Sequence, residues 1–150
     1  MLGEVPDQEE DTLIRLSDVE AAAVRGQEEL SVNEAENEAK QEVVLAVDVA
    51  RFGSDRSVIL RRRGDRVEEV RVFRQLDTMQ LAGWVVSAIK DVQPARINID
   101  EIGVGAGVVD WLKEEGYGVR GINVARRSRQ DDLFANVRAE GFWRLRELFA

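Results

Sequence analysis

The sequence predicts a mixed α/β fold, a sheet of antiparallel and parallel strands flanked by helices, and three observations carry that expectation. Residues 43–47 are an unbroken apolar run, Val-Val-Leu-Ala-Val, that ends in Asp48, as a strand buried on both faces does. Two further strand-like stretches follow through short turns, which builds an antiparallel meander. Beyond residue 77 amphipathic helices alternate with short apolar strands, and such strands add in parallel through right-handed crossovers.

The 150 residues are enough for one domain of ordinary size. The first 42 hold 13 acidic and 3 basic side chains and lack a sustained apolar stripe. Leu13, Ile14, Leu16, Val19 and Ala22 fit a turn or two of amphipathic helix with Ser17 as N-cap. Residues 26–42 are polar and acidic with only Leu30 and Val32 to bury, so 1–42 reads as a solvated acidic linker or arm. The domain proper is then 43–150. In it, Gly53-Ser54-Asp55 signals a turn, 57–62 a second strand, and Gly64-Asp65 a tight hairpin into a third strand at 67–73.

Asp77 or Thr78 caps a helix whose Met79, Ala82, Val85, Val86 and Ile89 share a face. Pro94 punctuates, and 95–99 is another short apolar strand, again ending in an acid, Asp100. Gly103, Gly105 and Gly107 open a second helix through Val108, Val109, Trp111 and Leu112, which Gly116 stops. Residues 119–124 make a fifth strand. Asp131 or Asp132 starts a last helix with Leu133, Val137, Leu145, Leu148 and Phe149, still periodic at Ala150, so the domain reads as incomplete.

Composition narrows the chemistry. The chain is 44% hydrophobic and 33% charged, with no cysteine and no histidine. Disulfides, thiolate metal sites, Ser-His-Asp triads and imidazole bases are therefore excluded. No apolar run approaches a membrane span and no secretory signal opens the chain, so the expectation is a cytoplasmic protein without a membrane partner. The net charge of −8 belongs to the first 42 residues, whose own balance is −10; residues 43–150 carry 16 acids and 18 bases. A surface for polyanions is compatible with that body.

Two strands, 43–47 and 95–99, each deliver a carboxylate at the carboxyl end, where open α/β sheets bind ligands. If these two strands are neighbours, Asp48 and Asp100 stand side by side and repel unless a cation lies between them. Oxygen donors without His or Cys favour Mg²⁺ or Mn²⁺. Two such ions about 3.5–4 Å apart are a common device for phosphodiester hydrolysis, and it needs no histidine. Asp is also a frequent turn residue at strand ends, and the residues alone leave both readings open.

The runs VVLAVDVARFGSDRSVI (43–59), INIDEIGVGAGVVDWLKEEGYGV (97–119) and FANVRAEGFWRLRELF (134–149) resemble the nuclease domain of the large terminase subunit of tailed bacteriophages. The opening LGEVPDQEEDTLIRLSDVEAA (2–22) is similar to the stretch that joins the packaging ATPase of that family to its nuclease. The resemblance implies a ribonuclease H-like fold and metal-dependent endonucleolytic cleavage of concatemeric double-stranded viral DNA during packaging in the host cytoplasm. It implies a small terminase subunit and a portal as partners of the full-length protein. Asp48 matches the first catalytic acid and Asp100 the second, with Glu101 and Asp55 as auxiliary candidates. The family's third acid lies past the matched region, and no G-x-x-x-x-G-K-[ST] loop is present. The chain thus reads as a piece of that protein. The alternatives are a catalytically dead prophage remnant or interaction module that keeps the fold, and an actin-like or Hsp70-like nucleotide-binding ATPase.

Other features have plainer readings beside sharper ones. Gly103, Gly105 and Gly107 suit close helix–sheet packing or a phosphate cradle. Arg61, Arg62 and Arg63 suit a solvated hairpin edge or a phosphate contact. Arg126, Arg127 and Arg129 follow the fifth strand, at the rim expected for the acids, and are candidates for DNA-phosphate contacts. Trp84, Trp111 and Trp143 fall in helices and are expected to pack on the sheet.

Overall fold

The computed structural model describes residues 12–28, 31–50 and 55–149. The expected turn at Gly53-Ser54 lies outside the described residues. Ten elements follow in chain order: α1 (Leu16–Gln27), α2 (Val32–Ala39), β1 (Val43–Asp48), β2 (Arg56–Arg63), β3 (Arg66–Arg74), α3 (Thr78–Val92), β4 (Arg96–Asp100), α4 (Gly105–Glu114), β5 (Arg120–Ile122) and α5 (Val137–Phe149). Among the described residues no helix is long and apolar enough to cross a membrane. The described residues of Ser31–Val124 make one compact unit, and those of Met1–Leu30 and Ala125–Ala150 another.

The first unit is the mixed sheet that the sequence predicts, in the order β3-β2-β1-β4-β5. β1 pairs antiparallel with β2 and β2 with β3, whereas β4 runs parallel to β1 and β5 parallel to β4. The β2–β3 hairpin turns on Gly64-Asp65, with Gly64 at a left-handed φ of 52° that suits glycine. Side chains alternate across each strand, so Leu45 and Val47 of β1, Ile59 of β2, and Ile97 and Ile99 of β4 face one way. They meet Leu81, Ala82, Val85 and Ala88 of α3 and Val108, Val109 and Leu112 of α4 in one core. Burying each such side chain is worth about 1.5–3 kcal/mol, and α3 and α4 therefore cover that face.

Helix α3 starts where expected. The Asp77 carboxylate accepts from the Gln80 N–H at 2.7 Å while the Gln80 side chain accepts from the Asp77 N–H at 3.0 Å, a reciprocal cap. Trp84 stacks against Phe73 of β3, with centroids 5.4 Å apart, and Trp111 packs on the core.

Four elements depart from the sequence reading. Within 26–42, read as a linker, α2 forms, with the Glu34 carboxylate accepting from both the N–H and the hydroxyl of Ser31. Helix α1 runs three turns from Leu16, with Arg15 at the N-cap position and Ser17 inside the helix. β5 spans three residues because its last register partner, Asp100, ends β4; the Glu101 N–H closes the ladder on the Ile122 carbonyl. Helix α5 begins at Val137, since Asn136 is the cap, its Oδ1 accepting from the Ala139 N–H at 2.9 Å. Asp131 instead pairs with Arg127 at 2.9 Å, and Leu133 and Phe134 close a single turn on the Gln130 carbonyl.

Candidate functional site

The parallel pairing of β1 and β4 decides where the two acids stand. Their register runs from Val44–Arg96 to Val47–Ile99. One step further along both strands come Asp48 and Asp100, so the two carboxylates occupy adjacent strand ends. Val47 and Ile99 point into the core beneath α3 and α4. By alternation Asp48 and Asp100 both project from the opposite face, where Asp48 is exposed and Asp100 half-buried.

The backbone around the acids is held by small contacts. Asp100 Oδ1 accepts from the Ile102 N–H at 3.0 Å, a local turn that fixes one carboxylate oxygen. The start of α4 presses on the same residue: a Cβ on Gly105 would lie 1.9 Å from the Asp100 carbonyl oxygen. Gly105 is thus explained by close packing and Gly103 by its φ of 67°, whereas Gly107 has open space around it. On the β1 side, the hydroxyl of buried Ser57 accepts from the Ala50 N–H at 3.1 Å and ties the chain just past Asp48 to β2. Sequence reasoning missed Ser57, and it offered no signal beyond a serine in a strand.

Among the described residues the auxiliary candidates do not join that pair in a group of three acids. The Glu101 carboxylate lies over Gly121 of β5, where a Cβ would come within 2.1 Å of it. Glu101 is therefore directed to the β5 side, and a glycine inside a strand was the available signal of that close approach. Asp55 is exposed and directly precedes β2. Arg126, Arg127 and Arg129 belong to the second compact unit. There Arg127 pairs with Asp131, and the Arg126 carbonyl accepts from the Val137 N–H. Arg61, Arg62 and Arg63 are engaged within the hairpin. Arg61 and Arg63 meet Glu68 at 2.9 and 2.7 Å, and Arg62 donates to the Gly64 carbonyl.

Among the described residues neither Asp48 nor Asp100 takes part in an ion pair, and no three acids gather into a cage. Two like charges on neighbouring strand ends, with oxygen donors only, fit a hard divalent cation. Asp48 and Asp100 are the side chains that would hold it.

No protein-family model and no curated protein matches the sequence. Solved structures do match. A lysine-to-alanine mutant of the nuclease domain of the large terminase subunit gp2 of bacterial virus Sf6, with manganese and beta-thujaplicinol, aligns with a TM-score of 0.72 and 22% identity, covering 91% of this chain and 65% of that one. A calcium form of the same domain aligns with a TM-score of 0.72 and 23% identity. The large terminase nuclease from thermophilic phage G20c aligns with a TM-score of 0.59 and 13% identity over 74% of this chain and 55% of that one. The chain shares the fold of these nuclease domains and spans less than two thirds of their length.

Proposed function

We propose that this chain is the nuclease part of a phage large terminase subunit, which cleaves concatemeric double-stranded DNA with divalent metal during genome packaging. One observation carries the reading: parallel neighbours β1 and β4 put Asp48 and Asp100 side by side on one sheet face, in a fold shared with terminase nucleases. Solved forms of those neighbours contain manganese, calcium or zinc. Asp48 and Asp100 would hold Mg²⁺ or Mn²⁺, and such an ion supplies an activated water and charge neutralisation at a phosphodiester. The protein's own part is to hold two carboxylate groups in register and to keep Asp100 oriented through the Ile102 N–H. Glu101 and Asp55 are proposed as auxiliaries, and Arg126, Arg127 and Arg129 as sequence-independent contacts to DNA phosphate. In the full-length family protein the small subunit and the portal would be partners, in the host cytoplasm, with residues 1–42 as the arm leading from the ATPase.

Two acids are few for two ions. That shortage among the described residues favours a second reading, a fold kept with little or no catalysis. Plasmid nicking with Mn²⁺ separates the two. We expect slow nicking by this chain, loss of it in Asp48→Asn, and much faster cutting when the family's C-terminal segment is appended. Cutting that survives Asp48→Asn in the extended chain refutes the assignment of the acids. An extended chain that binds Mn²⁺ but never cuts supports the remnant.

A further inference from the structure

Neither α1 nor α5 contains a buried residue, so among the described residues the unit they form shows no core of buried apolar side chains. Its apolar side chains are nevertheless organised. Leu13, Leu133, Phe134, Phe142 and Trp143 wall a groove of about 710 Å³ in which Arg138 is set. Leu133 is 70% exposed and Phe142 52%, so these walls face water. Apolar surface so concentrated marks an interaction site.

Helix α1 carries the matching shape. Leu16, Glu20 and Val24 follow at i, i+4 and i+8, in one row along the helix, and all three are exposed. The row presents one acid between two apolar side chains; the groove presents one cation among apolar walls. Charge agrees at the larger scale too. Residues 12–28 carry a net −1 and residues 125–149 a net +2. Within the latter, Arg127 is paired with Asp131 and Arg144 with Glu140. Among the described residues no ion pair involves α1 or Arg138. The opposite charges of the two segments are thus unspent within one copy.

We propose that this unit is a homodimerisation surface: the Leu16–Glu20–Val24 row of one copy seats in the groove of a second copy, Glu20 against its Arg138. Two-fold symmetry makes the contact twice, fills both grooves and closes the assembly at two copies. The mode is that of an amphipathic helix in an apolar groove, and the charge pair sets register more than it sets affinity. The proposal stands apart from the nuclease reading, since it uses none of the carboxylates at the strand ends.

Sedimentation or light scattering of the 150-residue chain over a range of concentrations tests it, with amide exchange in β1 and β4 as the folding control. A reversible dimer is expected. Glu20→Arg and Arg138→Glu should each weaken it about tenfold or more, and the two together in one chain should restore it towards the parent. Phe142→Glu should give a monomer whose sheet exchanges as before. A monomer at every concentration overturns the proposal and leaves the groove to another occupant. Open-ended association overturns it, as do charge reversals whose losses simply add.

Discussion

At the scale of single residues, the carboxylates and the glycines beside them make separable claims. If Asp48 and Asp100 share a cation, Mn²⁺ affinity measured by titration calorimetry falls sharply when both become Asn, because each neutral amide removes a charge and a hard ligand. Equal affinity in parent and double variant would sink the metal site. Gly105 and Gly107 separate packing from phosphate cradling at the start of α4. A methyl at Gly105 meets the Asp100 carbonyl oxygen at 1.9 Å, backbone against side chain, so something must shift. Gly105→Ala should cost about 1–3 kcal/mol in urea unfolding and weaken Mn²⁺ binding, since the displaced backbone carries Asp100. Gly107 has nothing within 4 Å of such a methyl, and Gly107→Ala in this helix should be neutral or stabilise by about 1 kcal/mol or less. Similar losses at both positions would reject the packing account.

At the scale of elements, what was legible in the sequence is what local chemistry controls. The run 43–47, the Gly64-Asp65 turn and the Asp77 cap each announce themselves because period, turn residue and cap residue act over a few positions. The pairing of β1 with β4 was not legible, because crossover handedness fixes the hand of the connection and not the neighbour that β4 joins; the adjacency of Asp48 and Asp100 follows from the observed strand order. Helix α2 was written in Ser31-Val-Asn-Glu34, a capping-box spacing hidden by the acidic composition around it. The start of α5 was not legible: Asp131 and Asp132 are as good caps as Asn136, and the local turn that Leu133 and Phe134 close on the Gln130 carbonyl separates them from the helix that Asn136 caps. The direction of Glu101 depends on Gly121, twenty residues away in sequence.

Helix α5 also carries a pH dependence. The Ser128 hydroxyl donates to Glu140 at 2.6 Å, and this bond, then Arg144, holds the Glu140 carboxyl below its ordinary 4.5. A carboxylate lowered on folding stabilises above that ordinary value, and the contribution disappears as pH falls through the lower folded one. The protection of amides at the start of α5, taken relative to their intrinsic exchange at each pH, should therefore fall below about pH 4.5. Ser128→Ala should flatten that response, and an unchanged response would remove Glu140 from the account.

At the scale of the whole molecule, burial is distributed unevenly between the two compact units, and stability should follow it. The thirteen residues of the core all lie in 31–124, where each buried aliphatic side chain contributes on the order of 1.5–3 kcal/mol. α1 and α5 bury none of their residues, and α2, eight residues long and mostly exposed, is below the length at which a helix persists without packing. Opening free energies in such a chain range from near zero to the global value. Native-state hydrogen exchange should accordingly show the slowest amides in β1, β4, α3 and α4, and amides of α1, α2 and α5 exchanging through local opening at low denaturant dependence. Concentration adds a second axis. If α1 and α5 close a dimer, their protection rises with protein concentration by mass action, while α2 and the sheet stay as they were. Protection of α1 and α5 that equals that of β1 at high dilution would show a core in that unit that its exposed side chains do not provide.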